Sequence, residues 1–355
     1  MLEREVLPAR VEDYQPAMLD TLMAAGEVVW AGVEPLGERD GRIALYLTDH
    51  IARLRAPRPS PEATGRESEV LDHLVAHGAS FFGAIHAGVG GGFPNETVEA
   101  LWALAWKGLI TNDTLHPLRA YLRPEDKRTR RTRGTPFRSR RLVPPTAEGR
   151  WSVVETPKAT RGTATEWGAA MAQQLMTRYG IVTRETVAAE AVAGGFSAVY
   201  QVLKAMEDAG RVRRGYFVAG LGAAQFALPP ALDLLRSMRE IPEEPRTVVL
   251  SATDPANPYG SIVKWPDPNP IWGADTERPE GRGPTRTAGA IVILVDGAAV
   301  GYLRRGEREL LLFAPEAEPR RSRMIREVAR MLLYLARRRG MLIGEINGGP
   351  AVGHG

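Results

Sequence analysis

Three stretches of this sequence repeat one local plan: a helix, a glycine stop, a short strand, a turn and a second strand. In the first, residues 17–25 read as helix, Gly26 stops it, and EVVWAGVE and GRIALYL follow as strands across a turn at 37–41. In the second, residues 96–107 are helix, Gly108 stops it, and LITNDT and PLRAYL follow. In the third, residues 198–209 are helix, Gly210 stops it, and RVRRGYFV and AAQFALP flank a turn at 219–222. A glycine just past a helix takes the left-handed conformation that ends it, so its recurrence marks three helix ends.

Further helices precede two of these units. Residues 67–77 and 80–87 read as helices before the second hairpin, with Gly78 between them and Pro94-Asn95 opening the third helix. Residues 163–179 and 183–190 do the same before the third, with Gly180 between them and Ser197 as the expected N-cap after Gly194-Gly195. Three helices and a two-stranded hairpin make the winged-helix plan, whose third helix can enter a major groove while the hairpin touches the backbone. The N-terminal unit has only the last helix and the wing.

The last helix of the third module has Val199, Val202, Leu203 and Met206 on one apolar stripe. Tyr200, Gln201 and Lys204 lie off that stripe and suit base edges and phosphates. Arg211, Arg213 and Arg214 follow in the wing, and Gln225 lies mid-strand there as an expected positioning contact. The alternative is a helix packed on a neighbour with a wet polar face. The matching helix of the second module carries Leu101, Trp102, Leu104 and Trp106, too apolar all round to read a groove, and is expected to be buried.

After Pro229 the pattern changes. A short helix at 231–240 and a linker at 241–245 lead to strand-like runs at 247–253, 261–265, 290–296, 299–304 and 309–313, with a hairpin turn at Asp296-Gly297. Short strands with tight turns suggest a small β-barrel or curled sheet. The Pro- and Gly-rich loop at 265–287 reads as a flap. Residues 320–339 form a basic helix with Ile325, Val328, Met331, Leu332 and Leu335 on one face, and the tail after Ile346 is expected to be truncated or disordered. The expected class is α+β: tandem winged-helix modules, a small β-barrel and a C-terminal helix.

Charge bears on function at one place above all. KRTRRTRGTPFRSRR, residues 127–141, has eight basic residues among fifteen and no acid, in a chain whose formal net charge is only +4. Such density resists packing into a core and is neutralised best by a polyanion. Arg130, Arg131, Arg133, Arg138, Arg140 and Arg141 are therefore candidate DNA contacts; the bland alternative is a solvated linker. The absence of cysteine excludes disulfides, Cys-ligated zinc and thiol catalysis. No phosphate-cradling G-x-x-x-x-G-K-[ST] occurs, and the glycines at 88, 90, 91 and 92 follow a helix rather than a strand, the wrong setting for a dinucleotide fingerprint. His73 and His77 share a helix face without the Glu of a zinc-hydrolase motif, so they read as a solvated pair. No cofactor and no metal are expected. With no apolar run of membrane length and no signal-peptide core at the N-terminus, a cytoplasmic, nucleoid-associated protein with no membrane partner is expected.

A string of segments resembles one family. VLPARVEDYQPAMLD, GEVVW, DGRIALYL, GLITNDTLHPLRA, FRSRR with GRWSVV, RRGYFVAGLGAAQFALP and VVLSATDPANPYG look like the C-terminal region of Lhr, the large helicase-related bacterial DNA helicases, from about Leu7 to Pro350. The resemblance implies a helicase ATPase core as partner in the parent family, winged-helix modules and a β-barrel; this chain has no ATPase motif. It looks like a fragment of that region or a stand-alone relative of it, and is expected to begin inside a module and stop short of the usual end. The expected segments are 1–60 (partial winged helix), 61–126 (winged helix), 127–162 (basic linker), 163–240 (winged helix), 241–317 (barrel) and 318–355 (basic helix and tail).

The same arrangement is similar to AlkZ-type DNA glycosylases. Their Gln-x-Gln or Gln-x-Asp pair is missing here, since none of Gln15, Gln173, Gln174, Gln201 or Gln225 is followed two residues later by Gln or Asp. A glycosylase still needs a carboxylate or an amide-held water near the sugar. Asp113 beside Asn112, and Asp254 with Asn257 and a stacking Tyr259, are the candidates; turn formation is the competing explanation for both. Three readings follow. The first is a DNA-gripping region of a repair helicase, on single-stranded or duplex DNA, which also assembles a homo-oligomer. The second is a glycosylase for uracil or alkylated bases, and the third a winged-helix transcription regulator.

Overall fold

The computed structural model describes residues 2–37, 40–56, 62–123, 143–154, 163–222, 224–239, 242–267 and 283–352. The chain divides into two compact units: residues 14–171, and a discontinuous unit of residues 1–13 with 172–355.

The first unit opens with α1 (Pro16–Ala24), β1 (Val28–Pro35), β2 (Gly41–Leu47) and α2 (Thr48–Leu54). Gly26 takes φ +78 and ends α1 as expected. Then come α3 (Arg66–His77), β3 (Ser80–Phe81), α4 (Phe82–Gly88), α5 (Pro94–Trp106) and β4 (Ile110–Asn112). The segment PLRAYL does not form the expected second strand. It lies in α6 (His116–Tyr121), because Pro117 fits the first helical turn, where no N–H is needed, and Pro117, Leu118 and Ala120 are buried. The partner of β4 is β5 (Arg150–Val153), in the sheet order β3-β5-β4. Residues 150–153 therefore belong to the second module and not to a linker, and the basic run lies between two strands of one sheet.

Helix α5 is buried on most sides, as its composition demands. Trp102 lies 6.4 Å from Trp30, 5.7 Å from Trp106 and 5.7 Å from Trp151 between ring centroids. Three indole N–H groups donate to backbone carbonyls: Trp30 to Asn112 at 3.0 Å, Trp102 to Thr146 at 2.9 Å and Trp151 to Ala147 at 3.2 Å. These bonds offset the cost of burying three indole N–H groups, while the N–H of Trp106, in the same cluster, has no partner among the described residues. The β1–β2 hairpin covers α5 through glycines: a Cβ on Gly32 would come 2.1 Å from the Ala105 carbonyl oxygen, and one on Gly41 would come 2.4 Å from the Trp106 ring. Because the neighbour of Gly32 is backbone and cannot swing away, Gly32→Ala is expected to cost about 1–3 kcal/mol in urea denaturation of this unit. Gly83→Ala, in α4 with open space at its Cβ, is the matched control and should be neutral or stabilising. Equal midpoints for the two variants would refute the close approach.

The discontinuous unit begins within α7 (Ala164–Tyr179) and continues with β6 (Ile181–Val182), α8 (Arg184–Ala189), α9 (Gly195–Asp208), β7 (Arg213–Gly215) and β8 (Gln225–Ala227). The three strands pair in the order β6-β8-β7. Thr183 and Thr186 cap α8 reciprocally, with Thr183 N–H donating to Thr186 Oγ1 at 2.8 Å and Thr186 N–H to Thr183 Oγ1 at 3.3 Å. Ser197 is not the cap of α9; the helix starts two residues earlier, after Gly194 at φ +75.

After α10 (Pro229–Ser237) the chain forms β9 (Thr247–Ser251), β10 (Ile291–Val295), β11 (Ala298–Leu303), β12 (Glu309–Leu312), α11 (Arg320–Arg339), β13 (Glu345–Ile346) and β14 (Gly349–Pro350). Their six-stranded sheet runs β14-β13-β12-β11-β10-β9, and among the described residues it does not close, so the expected barrel is corrected to an open sheet. Helix α11 explains the difference. It carries the chain across the sheet, so that β13 joins β12 in parallel, and its Met324 and Val328 pack with Ile293, Val295, Val300 and Leu310. The other face holds Val292, Ala299, Tyr302, Leu311 and Phe313, against which Tyr259 and Trp265 pack. Two covered faces account for the unbroken apolar run of β10.

Residues 261–265 were expected as a strand but form a turn, with Ile262 and Val263 N–H donating to the Pro258 carbonyl at 2.9 and 3.0 Å. The expected flap at 265–287 lies largely outside the described residues. The described part of the tail forms a hairpin: Asn347 at φ 49 and Gly348 at φ 85 turn β13 into β14, and Asn347 Oδ1 accepts from Leu312 N–H at 2.8 Å; the last three residues lie outside the described ones.

Candidate nucleic-acid interface

Helix α9 separates its faces sharply. Val199, Leu203 and Met206 are buried, while Gln201 and Lys204 are exposed. Arg211, Arg213 and Arg214 are exposed on the wing that follows. Tyr216, which sequence reasoning passed over, is 81% exposed just beyond them. Its signal was readable: an aromatic ring directly after Arg-Arg-Gly in a wing strand suits a nucleic-acid surface better than a core.

Of the proposed contacts, Tyr200 is half-buried and Gln225 fully buried. Tyr200 packs its ring against Phe196 at 5.6 Å and edge-on to Phe226 at 6.0 Å between centroids. Gln225 is fully buried; its Oε1 accepts from Phe217 and Val218 N–H, both at 2.8 Å, and its Nε2 donates to the Val218 carbonyl at 2.9 Å and the Gly222 carbonyl at 3.2 Å. Its amide replaces the ladder bonds that the wing tip cannot make, so it shapes the wing and does not face out of it.

Arg130, Arg131, Arg133, Arg138, Arg140 and Arg141 lie outside the described residues; the strands on either side of them are β4 and β5. At the foot of this insertion, Asp113 receives Arg150 N–H on Oδ1 and Arg150 Nε–H on Oδ2, each at 2.8 Å. Asn112 is buried and donates to the Glu148 carbonyl at 3.0 Å. Both residues clamp the ends of the insertion.

Asp254 and Asn257 form a second clamp. Asp254 is 1% exposed, and Arg10 grips both its oxygens, at 2.8 Å and 2.6 Å. The Ala256 N–H adds a bond to Oδ1 at 2.7 Å. The Arg10 guanidinium holds the Asp254 carboxyl below the usual carboxylate range, against the upward push of burial. Asn257 donates to the Ala252 carbonyl at 2.9 Å and accepts from Tyr259 N–H at 3.1 Å, with no polar side-chain atom left over for DNA. Tyr259 stacks on Trp265 at 5.9 Å, and its hydroxyl accepts from Ala299 N–H at 3.2 Å. Arg286 ties the turn together by donating to the carbonyls of Thr253, Asp254, Asn257 and Tyr259. This is turn chemistry carried to completion. The residues sequence reasoning missed are Arg10 and Glu5. Glu5 accepts from Thr253 Oγ1 at 2.9 Å and also from the Ser251 hydroxyl. Burial pushes the Glu5 carboxyl up, but the hydrogen bonds from Ser251 and Thr253 outweigh it and leave the group below its ordinary value.

Among the described residues no cluster of His, Asp or Glu could hold a metal ion, and no helix is long and apolar enough to cross a membrane.

The sequence profile of the winged-helix domain of the large helicase-related protein matches this chain twice: the third such domain over residues 1–48 and the fourth over residues 161–247. A protein of Mycolicibacterium smegmatis named "Lhr helicase/ probable uracil glycosylase" is 41% identical over 338 residues, which is 90% of this chain and 22% of that protein. The "Lhr helicase/uracil glycosylase" of Escherichia coli is 36% identical over 339 residues, 89% of this chain and 21% of that protein. The chain thus spans about a fifth of the length of these relatives. The α9 helix with its basic wing lies inside the second matched domain. With winged-helix profiles in order and these relatives similar along nine-tenths of its length, the chain corresponds to the C-terminal region of the large helicase-related (Lhr) proteins.

Proposed function

We propose that this chain is a DNA-binding region of an Lhr-type repair helicase, which grips DNA while an ATPase core elsewhere does the work. The observation that carries the reading is the third module's outer surface: Gln201 and Lys204 on α9, Arg211, Arg213 and Arg214 on the wing, and Tyr216 beside them, all exposed. A helix with one buried apolar stripe and an exposed polar face, followed by a basic wing, suits major-groove entry with backbone contacts. Lys204→Gln, Arg213→Gln and Arg214→Gln together should weaken duplex binding by ~10- to 100-fold and lower the salt slope by ~2.7, at ~0.9 per lost phosphate contact. Fluorescence anisotropy across a salt series measures both, and unchanged affinity would remove α9 and its wing from the interface.

A second reading, uracil–DNA glycosylase, is favoured by the names of both relatives. Its carboxylate candidates are Asp254 and Asp113, and each is engaged by an arginine, Arg10 and Arg150. Either would have to be released to act on a sugar. Incubation with uracil-containing single-stranded DNA followed by alkali tests this reading. Strand breaks lost in Asp254→Asn or Asp113→Asn would support it; binding without breaks leaves the grip alone.

A further inference from the structure

Helix α11 has a second face that the sheet does not use. Met324 and Val328 are buried on the sheet side. On the outside, Arg326, Arg330, Leu333 and Arg337 recur at spacings of four, three and four residues along one stripe, with Tyr334 and Arg338 on the next, and all six are exposed. At 1.5 Å rise per residue, Arg326 and Arg337 stand ~16 Å apart along the axis. The one acid of the helix, Glu327, is occupied: it accepts from Thr247 Oγ1 at 2.8 Å and pairs with Arg330 at 2.5 Å. Neither Arg326 nor Arg337 has an ion-pair partner among the described residues. Leu333 is 62% and Tyr334 50% exposed, and the Arg338 guanidinium lies 5.0 Å from the Tyr334 ring centroid.

A solvated basic face needs no aromatic ring, and duplex phosphates make no use of one. A single strand does, because its unpaired bases stack on exposed rings while its backbone follows a row of cations. We propose that the outer face of α11 binds a single-stranded nucleic acid, with Arg326 and Arg337 on phosphates of one strand and Tyr334 stacked on a base. This surface is separate from α9 and its wing and goes beyond the duplex grip.

The test uses the full chain, a labelled oligothymidylate and a hairpin duplex, read by anisotropy over a salt series. Arg326→Gln with Arg337→Gln should lower the single-strand salt slope by ~1.4, at ~0.7 per phosphate. Tyr334→Ala should weaken single-strand binding ~10-fold, and Tyr334→Phe should leave it intact. Duplex affinity should stay within about twofold in all three, since none of them touches the groove-reading surface. Unchanged single-strand binding in both the arginine and the Tyr334→Ala variants would overturn the proposal. So would a parallel loss on both substrates, which would mean phosphate contact without strand preference. The Lys204, Arg213 and Arg214 variant keeps the two readings apart: if it binds duplex normally while the α11 variants lose the single strand, the duplex grip fails and this inference stands.

Discussion

Replacing Arg130, Arg131, Arg138 and Arg140 with glutamine is expected to weaken duplex binding by at least ~100-fold and to lower its salt slope by up to ~3.6, at ~0.9 per phosphate. The second winged-helix module motivates the size of the effect. Its third helix, α5, packs its own Trp102 and Trp106 against the β1–β2 hairpin and Trp151, and the charged residues it leaves exposed, Glu96 and Glu99, are acidic, so it has no basic face to lay in a groove. What the module has left to offer is the insertion between β4 and β5, which carries eight basic residues within fifteen. Asp113 with Arg150, and Asn112 with Glu148, fix the two ends of that insertion to the sheet. A salt series with and without the four arginines decides the matter; identical slopes would reduce the insertion to a solvated loop.

Arg10→Ala is expected to cost about 3 kcal/mol in the discontinuous unit, because it strands the buried Asp254 carboxylate. The value is set at the low end for a broken buried pair, since Arg10 itself is 41% exposed. The effect has a pH signature. Asp254 and Glu5 both have depressed folded values, so the stability they contribute is complete above their unfolded values, near pH 4, and is lost as pH falls through the folded ones. Wild type and Arg10→Ala should therefore differ at pH 7 and converge in acid. Urea titrations at the two pH values measure this, and a gap that persists in acid would assign the loss to packing and not to the ion pair.

The winged-helix order was legible because it is local. Gly26, Gly108 and Gly210 all take positive φ where the sequence places helix ends, and the apolar stripe of α9 is buried where its spacing put it. What was illegible is pairing across distance. The strand β5 lies beyond a long insertion from β4, whereas PLRAYL, next in line, has the short apolar pattern that fits strand or helix alike until Pro117 is weighed as a helix starter. The barrel expectation failed because strand count says nothing about closure, and the crossover made by α11 is visible only in space. The Asn347-Gly348 turn carries the same signal as Asp296-Gly297. Among site residues, the exposed set on α9 and the wing was readable from periodicity. Asp254, Asn257 and Gln225 were not, because the same side chains serve turns and ligands, and only their hydrogen-bond partners tell the two apart.

The contact of Glu5 and Arg10 with the start of the β9 turn orders events during synthesis. Those residues leave the ribosome more than two hundred positions ahead of Ser251 and Asp254, their partners. Residues 14–171 hold their own core and can close while translation continues. The bonds of Glu5 and Arg10 to this turn can form only once β9 and the turn after it have been made. An N-terminal fusion that obstructs this late docking would leave the tryptophan-rich unit intact and weaken the distant sheet. The damage from an edit at the front of the chain would thus surface near its far end.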